Sequence, residues 1–260
     1  MPLPPPASAG AVAMSEELHR WFIERAQTLA PSLAHAIAET GPLWFPERED
    51  HGTAAFLSRA IVGQQISSKA AAGIWSRIEA HAAADGVPLR HYLAAADEAA
   101  LRACGLSGNK VKAVLRIHAA EKVGELGARE ILHGMDHADR SERLCRIWGI
   151  GQWTCDMLAI FYCRDFDVWP EGDLAVQRVF QRYIGRRKAG KAAACFAPYR
   201  SVLALYMWRL AHAAVKMEGT KKERPEGRPH PPGRKKSRLT EPSRRARRGR
   251  ARPARSRHRP

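Results

Sequence analysis

Asp173 is the residue of this 260-residue chain best placed to do chemistry. It follows the turn Pro170-Glu171-Gly172 and opens a helix running through Val179, Phe180 and Tyr183. An Asp there is first of all a cap, because its side chain accepts the orphan N–H groups of the first turn. A capping carboxylate is also ionised and held by a rigid element. Beside a cleft, it stabilises positive charge developing on a substrate, as on a sugar whose glycosidic bond is breaking, and it orients water. Glu171 is a second carboxylate, but it lies in the turn itself and ranks below Asp173.

Twenty-two residues before Asp173 stands Gly151, the end of a tight turn. In the stretch LCRIWGIGQWTCDMLAIF, a helix ends near Ile147 and Trp148, Gly149-Ile150-Gly151 turns, and a second helix begins near Gln152 or Trp153. The glycines let one backbone approach another closely. The first amides of the new helix have no intrahelical partner and, with the helix dipole, suit a phosphate oxygen. Ile150 is expected to anchor the turn in the core. Alone, a G-x-G between helices reads as a simple joint with a glycine cap.

Other polar residues carry less. His133 and His137 are four apart, yet Gly134-Met135-Asp136 reads as a loop and no third ligand stands out, so no metal is expected there. Lys110 and Lys112 read as solvated lysines more readily than as phosphate contacts. Arg200 suits a phosphate contact and a structural ion pair equally.

Positioning these residues falls to helices. Ser15, followed by Glu16 and Glu17, starts one; Pro31 starts another that ends near Gly41, and a loop with Pro42 and Pro46 follows. Helices are then expected near 52–63, 67–83, 88–94, 97–104, 107–123, 139–147, 152–164, 173–184 and 198–216, with no convincing alternation and no internal repeat. This predicts an all-α, multi-helix globule over residues 15–218. Residues 1–14, rich in Pro and Ala, are expected to be disordered.

The hydrophobic fraction of 45% sustains a sizeable core. A net charge of +17 points to a polyanionic partner. Residues 219–260 carry 17 Lys/Arg against 3 Asp/Glu, while the other 218 residues carry 26 against 23. The charge thus belongs to a basic tail, expected to stay disordered and to raise non-specific, salt-dependent nucleic-acid affinity. Any DNA contact by the folded part must come from specific residues. The five cysteines form no CxxC pair, which suggests free thiols in a reducing compartment. No apolar run reaches the roughly 18 residues of a membrane span, and the start carries no secretory pattern. A cytoplasmic monomer, associated with the bacterial nucleoid, is expected.

A glycine hairpin followed by a P-x-G-D-L-A helix start resembles the helix-hairpin-helix superfamily of DNA glycosylases. Three further segments agree. Arg59 to Ser67 resembles the family's I-x-x-Q-Q-x-S segment, Leu101 to Lys112 is similar to the segment before its middle helix, and Pro198-Tyr199-Arg200-Ser201 leading to Trp208 resembles its P-W/Y-R-S…L-W helix. The order fits the DNA-3-methyladenine glycosylase II branch, over about residues 28–212.

The resemblance implies two helical subdomains flanking a cleft, with double-stranded DNA bearing damaged bases as partner. It makes Asp173 the catalytic carboxylate, and Trp153, Met157 and Trp208 the base pocket. Gln64, Gln65, Gly149, Ile150, Gly151, Thr154 and Arg200 become DNA-binding positions. Gln65 falls where the family inserts a side chain behind the flipped base; being polar, it is expected to hydrogen-bond to the orphaned base. Met157 is a softer wall than the aromatic residue some relatives carry. No organic cofactor is implied, and backbone carbonyls near Gly149-Gly151 would hold at most a structural monovalent cation. Strand-nicking relatives carry a lysine where this chain has Trp153, so hydrolysis that stops at an abasic site is expected. Only Cys195 lies beyond Cys163, which excludes the iron–sulfur branch. Indole faces favour cationic alkylated purines by about 0.5–2 kcal/mol. A non-catalytic DNA-binding module that keeps the hairpin is the alternative.

Overall fold

The computed structural model describes residues 12–45, 51–186 and 189–222. The chain alternates short helices with tight joints. α1 (Glu16–Leu29) and α2 (Pro31–Thr40) pack together. α3 (Thr53–Gly63), α4 (Ser68–Ala84), α5 (Leu89–Ala95), α6 (Glu98–Ala103), α7 (Gly108–Lys122), α8 (Arg129–Gly134) and α9 (His137–Cys145) follow. α10 (Gln152–Met157) continues into a π-helical turn, Leu158–Cys163. α11 (Leu174–Ile184), α12 (Ala189–Ala194) and α13 (Arg200–Lys222) complete the described chain.

Local chemistry explains several starts. Ser15 accepts the Leu18 amide (3.1 Å), Ser67 that of Ala70 (3.2 Å) and Asp97 that of Ala100 (2.8 Å). Pro31 opens α2 with the fixed φ of a first helical position, and Gly41 (φ 73°) closes it.

Two cores result. The first gathers α1, α2, α11, α12 and α13 around Phe22, Phe180, Phe196 and Tyr206. The second gathers α3 to α9 around Leu57, Trp75, Ile117 and Leu144. The helix after the hairpin is shared: Met157, Ala159 and Ile160 face the first core, while Cys155, Leu158, Tyr162 and Cys163 face the second. The π-helical turn widens this element where it serves both walls. The all-helical architecture with two helical bodies is therefore as expected.

Several details differ. Val12–Ala13 pairs antiparallel with Trp44–Phe45, and the Met14 amide donates to Leu43 O (2.9 Å). Residues 12–14, expected to lack order, and part of the loop after Gly41 thus form a two-residue ribbon, too short to show alternation. α8 and α12 are only six residues each, shorter than a periodic pattern can reveal. The last helix extends past residue 218 to Lys222. The rest of the basic tail, and residues 1–11, lie outside the described residues. Among the described residues no helix is long and apolar enough to cross a membrane.

Candidate functional site

Asp173 sits at the mouth of α11, 8% exposed. Its two carboxylate oxygens divide the work. Oδ1 accepts the amides of Ala175 (3.0 Å) and Val176 (2.9 Å), which is the cap. Oδ2 accepts the indole N–H of Trp153 (2.9 Å), from the first turn of α10. An N-cap is thus also a carboxylate locked, through Trp153, to the helix that follows the hairpin. Trp153 was expected as a pocket wall; the indole N–H adds a positioning role that sequence spacing does not reveal.

The loop delivering Asp173 is clamped by two arginine–aspartate pairs. Arg140, 1% exposed, donates to Asp165 Oδ2 (2.7 Å) and to Leu132 O (2.9 Å). Arg200 forks onto Asp167, Nε to Oδ1 at 2.8 Å and Nη2 to Oδ2 at 2.9 Å. The Ser201 hydroxyl donates to Asp165 O (2.7 Å) and accepts the Val168 amide (2.9 Å). Of the two readings of Arg200, the geometry selects the ion pair. Its planar fork matches a carboxylate, and Asp167 draws it away from the DNA-contact role expected of it.

The hairpin is built on α7. Gly149 has φ 95°, and a Cβ there would come within 2.5 Å of Ala113 Cβ. Both facts require glycine. Gly151 is extended and exposed, and a Cβ on it would meet nothing within 4 Å. The packing therefore does not require glycine at this position. Its carbonyl accepts the amides of Thr154 (2.9 Å) and Cys155 (3.1 Å), starting α10. Ile150 is 5% exposed and seated in the second core, the anchor expected of it.

The loop between α3 and α4 lies against this helix start. Gln64 Nε2 donates to Thr154 Oγ1 (3.0 Å). Thr154 is 1% exposed, so its hydroxyl orders this loop; the expectation that it faces DNA is corrected. Lys110, read as a solvated lysine, instead donates its ammonium to Val62 O and Gln64 O, both at 2.8 Å, capping the C-terminus of α3. Lys112 stands over the Trp148 ring, 4.3 Å from its centroid. Gln65 is exposed with φ 57°, a left-handed conformation that a non-glycine residue holds at a cost of about 1–2 kcal/mol. The loop thus presents Gln65 outward from a strained, fastened backbone.

Trp153, Met157 and Phe161 follow one another at four-residue steps, and Trp208 meets Phe161 with ring centroids 5.5 Å apart. Met157 is buried, whereas Trp153, Phe161 and Trp208 are half-buried. Phe161 was missed, although its i+4 step from Met157 is a readable signal.

His137 and His133 form no metal pair. His137 Nε2 lies 2.9 Å from Asp156 Oδ1, which also accepts Gln152 Nε2 (2.9 Å), and His133 Nδ1 lies 2.7 Å from Cys163 O. Among the described residues no group of three His, Cys, Asp or Glu side chains is disposed to hold a metal ion.

A fixed carboxylate, an aromatic stripe and a glycine hairpin at the seam of two helical cores define the class. The chain belongs to the HhH-GPD superfamily of base excision DNA repair proteins, whose family model it matches over residues 58–194. Among individual proteins it is 32% identical to DNA-3-methyladenine glycosylase 1 of Schizosaccharomyces pombe over 177 residues, 65% of this chain and 76% of that one. The fold is similar to that of the 3-methyladenine DNA glycosylase of the same yeast in complex with abasic DNA: TM-score 0.65, 26% identity, 74% of this chain and 97% of that one. It is also similar to DNA-3-methyladenine glycosidase of Bacillus halodurans: TM-score 0.64, 26% identity, 79% and 94% covered. Family and relatives together make this chain a base excision repair DNA glycosylase of the helix-hairpin-helix class.

Proposed function

We propose that the protein hydrolyses the N-glycosidic bond of alkylated purines such as 3-methyladenine in duplex DNA and stops at the abasic site. The observation that carries this reading is the Asp173–Trp153 hydrogen bond of 2.9 Å. It fixes a carboxylate beside the hairpin and fills with an indole the position where strand-nicking relatives hold a lysine.

In this reading the amides that lead from the turn into α10 grip a backbone phosphate, while that of Ile150 donates to Ile147 O (3.1 Å). Hairpin carbonyls, hard oxygen donors, would hold a structural monovalent cation, whose charge would add to the attraction for phosphate. Gln65 enters the duplex behind the extruded nucleotide, and the aromatic stripe receives the base; extrusion costs a few kcal/mol, less for a damaged base. A cationic alkylated purine is already a good leaving group. As the bond lengthens, positive charge grows on the sugar and the free lone pairs of Asp173 Oδ2 face it. The base leaves as a neutral molecule with the C–N electron pair, water adds to the sugar in its place, and the proton that water loses goes to solvent.

The second reading, a DNA-binding module without chemistry, is favoured by the same carboxylate, because three N–H donors already occupy it. The test is base release and strand nicking, measured separately, from methylated duplex with wild type and Asp173→Asn. Loss of release by two orders of magnitude or more in the variant, with intact strands throughout, supports the hydrolase. Equal release by both proteins sinks the mechanism, no release by either supports the binding module, and nicking without alkali sinks the monofunctional reading.

A further inference from the structure

The hairpin is bracketed by two thiols. Cys145 is the last residue of α9, before the turn, and Cys155 lies in α10, after it. Nine residues separate them in sequence, yet their sulfurs stand 3.6 Å apart. Cys145 is exposed and Cys155 is buried, and both are free thiols. Burial, and then the neighbouring Cys145, push the Cys155 thiol well above the ordinary cysteine range. An oxidant therefore meets Cys145 first. Of the other described cysteines, Cys104 and Cys163 are buried, and Cys195 is exposed just after α12.

We propose that Cys145 and Cys155 are a modification site, a dithiol that peroxides close into a disulfide across the base of the hairpin. The Cys145 thiol reduces a peroxide ROOH to ROH and becomes a sulfenic acid. The Cys155 sulfur then attacks it, forming the S–S bond, and the sulfenic oxygen leaves as water with the Cys155 proton. The sulfurs must close from 3.6 Å to about 2.05 Å. That movement draws the end of α9 toward the start of α10, the two anchors of the turn whose amides face phosphate. The thiol chemistry stands without the glycosylase reading; its effect on DNA rests on it.

The test treats the full-length protein with hydrogen peroxide and maps peptides by mass. The expected product is a Cys145–Cys155 cross-link, about 2 Da lighter than the dithiol and reversed by dithiothreitol. Cys145→Ser, at an exposed position, must abolish it while the protein stays folded by circular dichroism; Cys155→Ala is the companion variant. Affinity for undamaged duplex should fall about tenfold on oxidation, the scale of one charge-assisted hydrogen bond, and recover on reduction. Cys145 climbing to sulfinic acid with Cys155 untouched, or cross-links confined to other cysteines, would overturn the proposal. A cross-link that leaves duplex affinity unchanged overturns its DNA arm, whereas loss of base release alone bears only on the glycosylase reading.

Discussion

At the scale of single residues, Asp173 combines two roles that substitutions can separate. Asparagine is as good an N-cap as aspartate, with its one carbonyl oxygen in the place of Oδ1; its amide nitrogen then faces the Trp153 N–H and that single bond is lost. Asp173→Asn should therefore abolish base release while shifting the melting temperature by no more than a few degrees. Trp153→Phe keeps the ring but removes the bond to Oδ2. It should lower the single-turnover rate about tenfold, with duplex affinity little changed, as fits one lost hydrogen bond to a charged group. The two hairpin glycines should respond oppositely. Gly149→Ala meets Ala113 and a positive φ and should cost about 2–4 kcal/mol in urea unfolding. Gly151→Ala should unfold like wild type yet bind duplex more weakly. Asp173 and the glycines were legible in sequence because each breaks a helical pattern. The Trp153–Asp173 bond was not, since a hydrogen bond between residues twenty apart depends on how two helices are set against each other.

At the scale of elements, the site depends on clamps that have no local sequence signature. Lys110 reads as a surface lysine, yet its ammonium holds the end of α3 and the strained loop bearing Gln65. Lys110→Met should destabilise the fold by about 1–2 kcal/mol and weaken lesion-duplex binding, seen in denaturation and in titration. α3 and α7 also share a buried pair, Ser58 Oγ and His118 Nε2 at 3.2 Å. Burial, and then Lys122, lower the His118 pKa from 6.5 to about 4. The folded state thus resists a proton that the unfolded chain accepts. The stability it contributes is complete above pH 6.5 and is lost as pH falls toward about 4, by roughly 3 kcal/mol in all. Urea midpoints should drop over that window, and less steeply for His118→Gln. The short α8 and α12 and the two-residue ribbon escaped sequence reading for the opposite reason: they are held by tertiary contacts, not by periodicity.

At the scale of the whole molecule, charge and chemistry are separated along the chain. Residues 1–218 are nearly neutral in sum, and the basic excess lies beyond them. The folded part must then recognise DNA through a few aimed groups, and we propose that the tail supplies diffuse attraction. Removing residues 223–260 should flatten the salt dependence of non-specific duplex binding, each lost phosphate contact reducing the log–log slope by about 0.9. Base release at saturating enzyme should be unchanged. The all-helical class was legible from helical spacing and the scarcity of alternation. The division into two cores sharing α10 and its π-helical turn was not, because residues of both cores alternate along a single element.

The bond between Trp153 and Asp173 also bears on how new chemistry could arise in this lineage. A lysine at position 153 is what strand cleavage requires in the relatives that perform it. Here such a lysine would place its ammonium against an acid already fixed in place. It would also remove the indole N–H that now holds Oδ2 in place. A single substitution should therefore give neither activity in full. An evolutionary route from hydrolysis to strand nicking in this scaffold must therefore supply another donor to position Asp173 when the lysine replaces Trp153.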